Sequence, residues 1–442
     1  MNPAIGREFH FASLLKFAFP SIIMMIFMSL YTIVDGIFIS RFVGTAALSA
    51  TNIVYPVINV TYAFSIMLAT GGSAIVARKL GEGKPEEARR DFSLITLATV
   101  LIGVLIALAG CLFIDPLCRM LGADQALIGY CRDYLRILLL FAPASMLQLL
   151  FQIFFVTAGR PGLGLGLTIA AGLSNAILDY VLIVPCGFGI AGAALATAAG
   201  YLIPAIIGLF FFCRPSQTLH FGRPKFSWAV LAESCFNGSS EMVTNLSNAI
   251  ITFLFNILML HYIGEDGVAA VTIVLYAQFL LTALYLGFSL GVAPVISFNH
   301  GSENSTQLKR LYRICISFIA GSSLVIFLLS LLLSRGIVRI FTPDGSPVFP
   351  IALEGFWLFS LSFLFSGINI FASGMFTALS NGRISAVISF LRTFGFILLG
   401  LLFLPKMLAV TGIWLAVPFA ELATLLFSVI FMWKMRSNYH YA

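Results

Sequence analysis

Apolar residues fill this chain in twelve runs, near 11–38, 50–77, 92–114, 127–158, 163–184, 189–212, 230–260, 267–298, 309–334, 348–379, 384–404 and 409–433, parted by short polar stretches. Each run reaches the roughly 20 residues that a helix needs to cross the hydrocarbon core of a bilayer. Backbone surrounded by lipid must satisfy its own hydrogen bonds, which only helices and closed barrels do. Runs of this length predict helices. The expected fold is an all-α membrane protein with twelve transmembrane helices in two six-helix lobes.

Composition sharpens that reading. Of 442 residues, 60% are hydrophobic and only 10% charged, against about 25% charged in soluble domains. The first apolar run is longer than a signal-peptide core and has no A-x-A-type cleavage site after it, so it reads as a retained anchor. The net charge of +7 follows topology, not nucleic acid. Of the 25 Lys and Arg, 17 fall in the loop set that contains the N-terminus, 7 in the opposite set, and Arg392 inside a span. Basic residues accumulate on the cytoplasmic side, so both termini are expected in the cytoplasm and the protein in the cytoplasmic (inner) membrane. The seven cysteines form no C-x-x-C pair and read as small apolar fillers, with neither a metal site nor a disulfide framework.

The chain repeats itself at a constant offset of 220 residues. Gly44 matches Gly264, Ala50 matches Ala270, Gly81 matches Gly301, Arg90 matches Arg310, Arg119 matches Arg339, Asp124 matches Asp344 and Pro185 matches Pro405. Gly192, Leu195 and Ala196 match Gly412, Leu415 and Ala416. Such self-similarity implies duplication. Six spans is an even number, so the halves begin on the same side, related by a pseudo-two-fold axis along the membrane normal with a cavity between them. The expected organisation is an N-terminal lobe over 1–212, a cytoplasmic linker over 213–229 and a C-terminal lobe over 230–442. Gly162, Gly164, Gly166 and Gly172, followed by GIAGAALATAAG at 189–200, predict close helix packing. GLGLG lacks the strand, helix start and downstream acid of a nucleotide fingerprint.

Within this apolar chain, Asp35 in span one and Asp179 in span five stand out. A charge at the centre of a spanning helix costs roughly 2.5 to 3.5 kcal/mol on insertion scales, so such an acid marks a functional candidate. Each precedes the outer end of its span by six residues, which places both roughly 9 Å deep. Thr197, on inward-running span six, lies roughly 12 Å deep, and Asn175 shares a helix face with Asp179. Two acids, an amide oxygen and a hydroxyl at matching depth can hold Na+ or a shared proton, because close carboxylates cannot both ionise cheaply. The alternative is a hydrogen-bonded cluster that only orders the bundle.

The pattern YTIVDGIFISRFVGTAALSA at 31–50, the loop VARKLGEGKPEEARR at 76–90, FFVTAGRP at 154–161 and NAILDY at 175–180 resemble, in order and spacing, signatures of the multidrug and toxic compound extrusion (MATE) family. The likeness covers essentially the whole chain. It implies a cation-coupled (H+ or Na+) antiporter that exports small-molecule organic cations from a membrane-lipid setting by alternating access. A monomer without a cofactor is a further expectation, separate from the resemblance. The branch of the family with an N-lobe cation site uses positions matching Asp35, Asn175, Asp179 and Thr197. Pro20 matches the place where the first helix of that branch is proposed to bend.

The second half carries its own intramembrane acids, Glu241 in span seven and Glu421 in span twelve, with Arg392 in span eleven. These three form a candidate substrate or second polar site. Arg392 is expected roughly 12 Å from the inner face, near the depth of Glu421, where the two would pair. Glu241 resembles the seventh-helix acid of the family's other branch, but span ten offers only Glu354, near its outer end, which argues against a complete second cation site. Phe and Met of spans one, two, seven and eight are the expected cavity lining. A flippase for a lipid-linked saccharide, the alternative within transport, would need a basic cavity to hold pyrophosphate, and Arg392 is the one clear intramembrane cation. No nucleophile constellation, metal motif or filter loop supports an enzyme or a channel.

Overall fold

The computed structural model describes residues 4–442, the side chains at 32–34, 36, 37, 40 and 45 excepted. Twelve helical spans follow one another. These are α1 (Phe11–Phe38), α2 (Thr45–Gly81), α3 (Pro85–Leu112), α4 (Ile128–Leu140 and Ala142–Thr157), α5 (Pro161–Ile183) and α6 (Gly189–Phe212). The second half repeats them as α7 (Trp228–Asn237 and Ser239–Tyr262), α8 (Glu265–Gly301), α9 (Ser305–Phe341), α10 (Val348–Ser360 and Phe363–Ala378), α11 (Gly382–Leu408) and α12 (Val410–Tyr439). Among the described residues there is no strand.

Helix ends follow local chemistry. Asn304 and Asn381 cap α9 and α11 by accepting from the backbone N–H of Gln307 and Ile384, the role short polar side chains take at a first turn. Pro85 and Pro161 open α3 and α5, where a missing N–H costs nothing. Gly44 and Gly264 turn the chain into α2 and α8 at φ 119° and 98°, backbone that a Cβ would strain. The duplication extends to shape: α4 bends by 55° and α10 by 54° at matching places. Pro143, at the start of the second piece of α4, removes a backbone bond there; α10 makes the same bend without a proline.

The two halves meet at the end of the molecule that carries the N-terminus. Gly81 of α2 lies 2.1 Å, measured from an ideal Cβ, from the Phe298 carbonyl of α8, and Gly301 of α8 lies 2.1 Å from the Arg78 carbonyl of α2. Both pairs are related by the 220-residue offset, so the interface itself is pseudo-symmetric. Gly71 meets Gly238 at the break in α7, and its counterpart Gly291 meets Ala18 of α1. Arg78 also pairs with Glu233 of α7 at 3.0 Å. The N-terminal segment straps the same end, with Ile5 and Phe9 fully buried and Gln307 Nε2 donating to the Phe9 carbonyl at 3.1 Å.

The structure adds detail to one sequence expectation and corrects two. First, the helical chain stops at Phe212 and resumes at Trp228, and part of the linker between is docked on the helices. Leu219 is fully buried, Phe221 stacks on Phe92 with ring centroids 5.0 Å apart, and the Gly222 N–H donates to Ser93 Oγ. Second, Gly162 and Gly166 face open space, whereas Gly172, Gly192 and Gly200 make the close helix contacts. Third, Cys186 and Cys213 are exposed and fill nothing. Their surroundings are loops, where apolar burial does not operate.

Candidate functional site

Asp35 of α1 and Asp179 of α5 come together. Their carboxyl groups are in side-chain contact, Asp179 is fully buried, and one oxygen of each, Oδ1, is buried without a partner. Two ionised carboxylates would repel at this range, so the contact requires a shared proton or cation. Asn175, one turn before Asp179, is also buried. In the amide orientation that satisfies both its ends, Nδ2 donates to Asp179 Oδ2 at 3.1 Å, and Oδ1 accepts from the backbone N–H of Thr197 at 3.0 Å and from its hydroxyl at 3.3 Å. The four residues proposed from depth and helix face therefore join in one connected chain of polar groups.

Packing of small residues makes this junction. Gly172 of α5 accommodates Phe27 and Tyr31 of α1, and a Cβ on Gly200 of α6 would stand 3.3 Å from the Ala171 carbonyl and 3.5 Å from the Asn175 Cβ. Side chains at either glycine would push the three helices apart. Tyr31, Tyr134 and Tyr201 stand within electrostatic range of the acids, and sequence reasoning missed all three. Tyr31 precedes Asp35 by four residues and Tyr201 follows Thr197 by four, a spacing that shares a helix face and would have revealed both. Tyr134 reaches in from α4 and had no such signal.

Pro20 lies inside α1, which runs unbroken through it. Its neighbours press on the other half: Gly287 meets Ser21 and Ile22, and Gly291 meets Ala18 and Ser21. One helix thus carries Asp35 toward its C-terminal end and an interface contact toward its N-terminal part.

In the second half, Arg392 sits in a π-helical stretch of α11, Leu391–Gly395, a backbone form frequent at functional sites. Its Nη1 lies 3.5 Å from Glu421 Oε1 of α12. Asn369 of α10 donates to Glu421 Oε2 at 2.7 Å and to the Glu421 carbonyl at 2.8 Å, and Ser428 Oγ donates to Asn369 Oδ1 at 2.8 Å. Glu241 of α7 is half-buried within electrostatic range of Arg392, and Tyr62 of α2 approaches Glu241 from the other lobe. The structure thus gathers Glu241, Arg392 and Glu421 into one cluster, apart from the Asp35 group. Asn369 on span ten carries no charge, so nothing in that apolar run of the sequence marks it as a partner of Glu421. Among the described residues, no three His, Cys, Asp or Glu side chains gather as a metal site.

The MatE family model matches residues 20–181 and 242–403, once in each half. The chain belongs to the MatE family. This makes it a membrane transporter and not an enzyme. The multidrug export protein MepA of Staphylococcus haemolyticus (strain JCSC1435) is 25% identical over 434 residues, covering 97% of this chain and 94% of that one. A MATE transporter crystallised in complex with MaL6 superposes with a TM-score of 0.91 at 21% identity, covering 97% of each chain. The outward-facing conformation of a multidrug resistance MATE transporter gives 0.89 at 21%, covering 97% of this chain and 96% of that one. These structural matches establish the two-lobe, twelve-helix fold of the MatE-family chain.

Proposed function

We propose that this MatE-family chain is an antiporter of the cytoplasmic membrane that exports cationic, amphipathic compounds in exchange for H+ or Na+ by alternating access. The contact between Asp35 and Asp179, buried and extended by Asn175 and Thr197, carries the reading. A site of this kind binds one small cation or a proton and resists standing empty with both acids ionised. The relative named as a multidrug exporter supports drugs as the cargo, and the acids of both lobes suit cationic ones. A lipid-linked saccharide flippase is less well served, because Arg392, the one clear intramembrane cation in the sequence, stands beside two acids, Glu421 and Glu241.

Coupling runs through α1 in this reading. Cation binding at Asp35 draws the outer part of α1 toward α5, while its inner part is held against Gly287 and Gly291 of the opposite lobe. A change at one end therefore strains the other, with Pro20 as the hinge. The lobes touch at the N-terminal end, which is the cytoplasmic end by charge bias, so this is an outward-facing state. The driving force follows from the charge balance: exchange of one monocation for one H+ or Na+ moves no net charge, so it draws on the ion's own gradient, about 1.36 kcal/mol for each pH unit.

The test is efflux of a fluorescent cation from proteoliposomes under separately imposed pH and sodium gradients. Asp35→Asn and Asp179→Asn are each expected to abolish gradient-driven efflux in protein that still purifies as a folded monomer. Undiminished efflux in both variants would reject the site, and the gradient that drives the parent identifies the ion.

A further inference from the structure

Arg392 is under-satisfied for a guanidinium this deep. Its side chain is 12% exposed and that of Glu421 5%, its Nε is buried without a partner, and its Glu421 contact, at 3.5 Å, exceeds a charge-assisted hydrogen bond of about 2.7–2.9 Å. Glu421, by contrast, is firmly held, since Asn369 donates to both its side chain and its backbone and is itself fixed by Ser428. On the other side, Glu241 is half-buried and feels Arg392. The guanidinium lies among a locked carboxylate and an accessible one, on a π-helical turn that departs from regular helix.

From this juxtaposition we infer that Arg392 is a specificity-determining residue, a built-in counter-ion that holds the C-lobe cluster at one net negative charge and so selects monocationic over dicationic cargo. The inference rests on the export reading above and assigns its C-lobe charge selection. With Glu241, Glu421 and Arg392 all ionised, the cluster carries two negative charges and one positive. A monocation arriving at Glu241 balances the remainder. A dication leaves an uncompensated positive charge facing Arg392 at close range, where like charges repel strongly in a low dielectric. Selection here works by repulsion of the wrong cargo as much as by attraction of the right one.

The test measures KM in proteoliposomes for a lipophilic monocation, tetraphenylphosphonium, and for a bis-quaternary ammonium dication of matched hydrophobicity. In Arg392→Gln the monocation-to-dication KM ratio is expected to move toward the dication by roughly tenfold or more. Arg392→Lys keeps the charge but not the fork geometry, so it should keep the parent ratio, whereas a purely structural guanidinium would not be rescued. The double variant Arg392→Gln with Glu421→Gln restores one net negative charge and should return the ratio toward the parent's. Should Arg392→Gln not fold, Glu421→Gln alone must shift the ratio the opposite way, further from the dication. An unchanged ratio in the folded variants, or a double variant that behaves like Arg392→Gln, overturns the inference while export stands. A parent that carries neither cation sinks the export reading, and this inference with it.

Discussion

Asn175 and Thr197 join the acids by backbone and side-chain donors, so their removal should weaken ion binding without erasing it. Losing one partner of a buried hydrogen bond costs about 1–3 kcal/mol, which corresponds to roughly fivefold to 150-fold in affinity. Asn175→Ala and Thr197→Ala are therefore expected to raise the concentration of driving ion needed for half-maximal efflux by such factors. Maximal efflux should survive, unlike in Asp35→Asn. Titrating efflux against sodium or proton concentration checks this, and a loss of maximal rate without a shift in midpoint would count against it. Axial rise placed Asp35, Asp179 and Thr197 at similar depths because it is a property of any helix, and the shared helix face added Asn175. Tyr134 lies outside that logic, since only the fold of α4 brings it to the acids.

Among the elements, α2 and α8 are the pair on which the closed end depends. An ideal Cβ on Gly81 would stand 2.1 Å from the Phe298 carbonyl, and one on Gly301 would stand 2.1 Å from the Arg78 carbonyl. Backbone cannot yield there as a flexible side chain could. Gly81→Ala together with Gly301→Ala is expected to force the helices apart and shift the population toward the state open at this end. Spin labels at Glu82 and Ser302 would report the shift as a lengthened distance distribution. Gly162→Ala, with nothing within 4 Å, serves as the control and should leave that distribution unchanged. An unshifted distribution in the double variant would mean that the glycines do not govern closure. The bends of α4 and α10 show the limit of local reading: Pro143 announces one, while nothing in the local sequence of α10 announces the other.

For the molecule as a whole, orientation can be read from its own thiols. Cys186, in the loop after α5, and Cys213, just after α6, are both exposed and lie at opposite ends of α6. Single-cysteine variants in intact cells should show Cys186 modified by a membrane-impermeant maleimide, with Cys213 modified only after permeabilisation. The reverse pattern would invert the proposed topology and, with it, the assignment of an outward-facing state. The lobes are further tied by the Arg78–Glu233 pair and by the buried N-terminal strap. Much of the chain between them is docked on α3 through Phe221 and Gly222, which leaves a short tether.

The number of spans, their limits to within several residues and the duplication were settled by the chain alone, and it also set an expected depth for Asp35, Asp179 and Thr197. Hydrophobic length measures bilayer thickness and helical rise measures depth, whatever the neighbours are. What only the tertiary structure decided is azimuth and adjacency: that Asp35 faces Asp179, that Asn369 holds Glu421, that Gly81 meets Phe298. In a span that is apolar on all sides, hydrophobic periodicity does not mark which face turns inward. Rotation and partner choice are then set by small residues meeting across interfaces, contacts between positions hundreds of residues apart that one sequence does not pair.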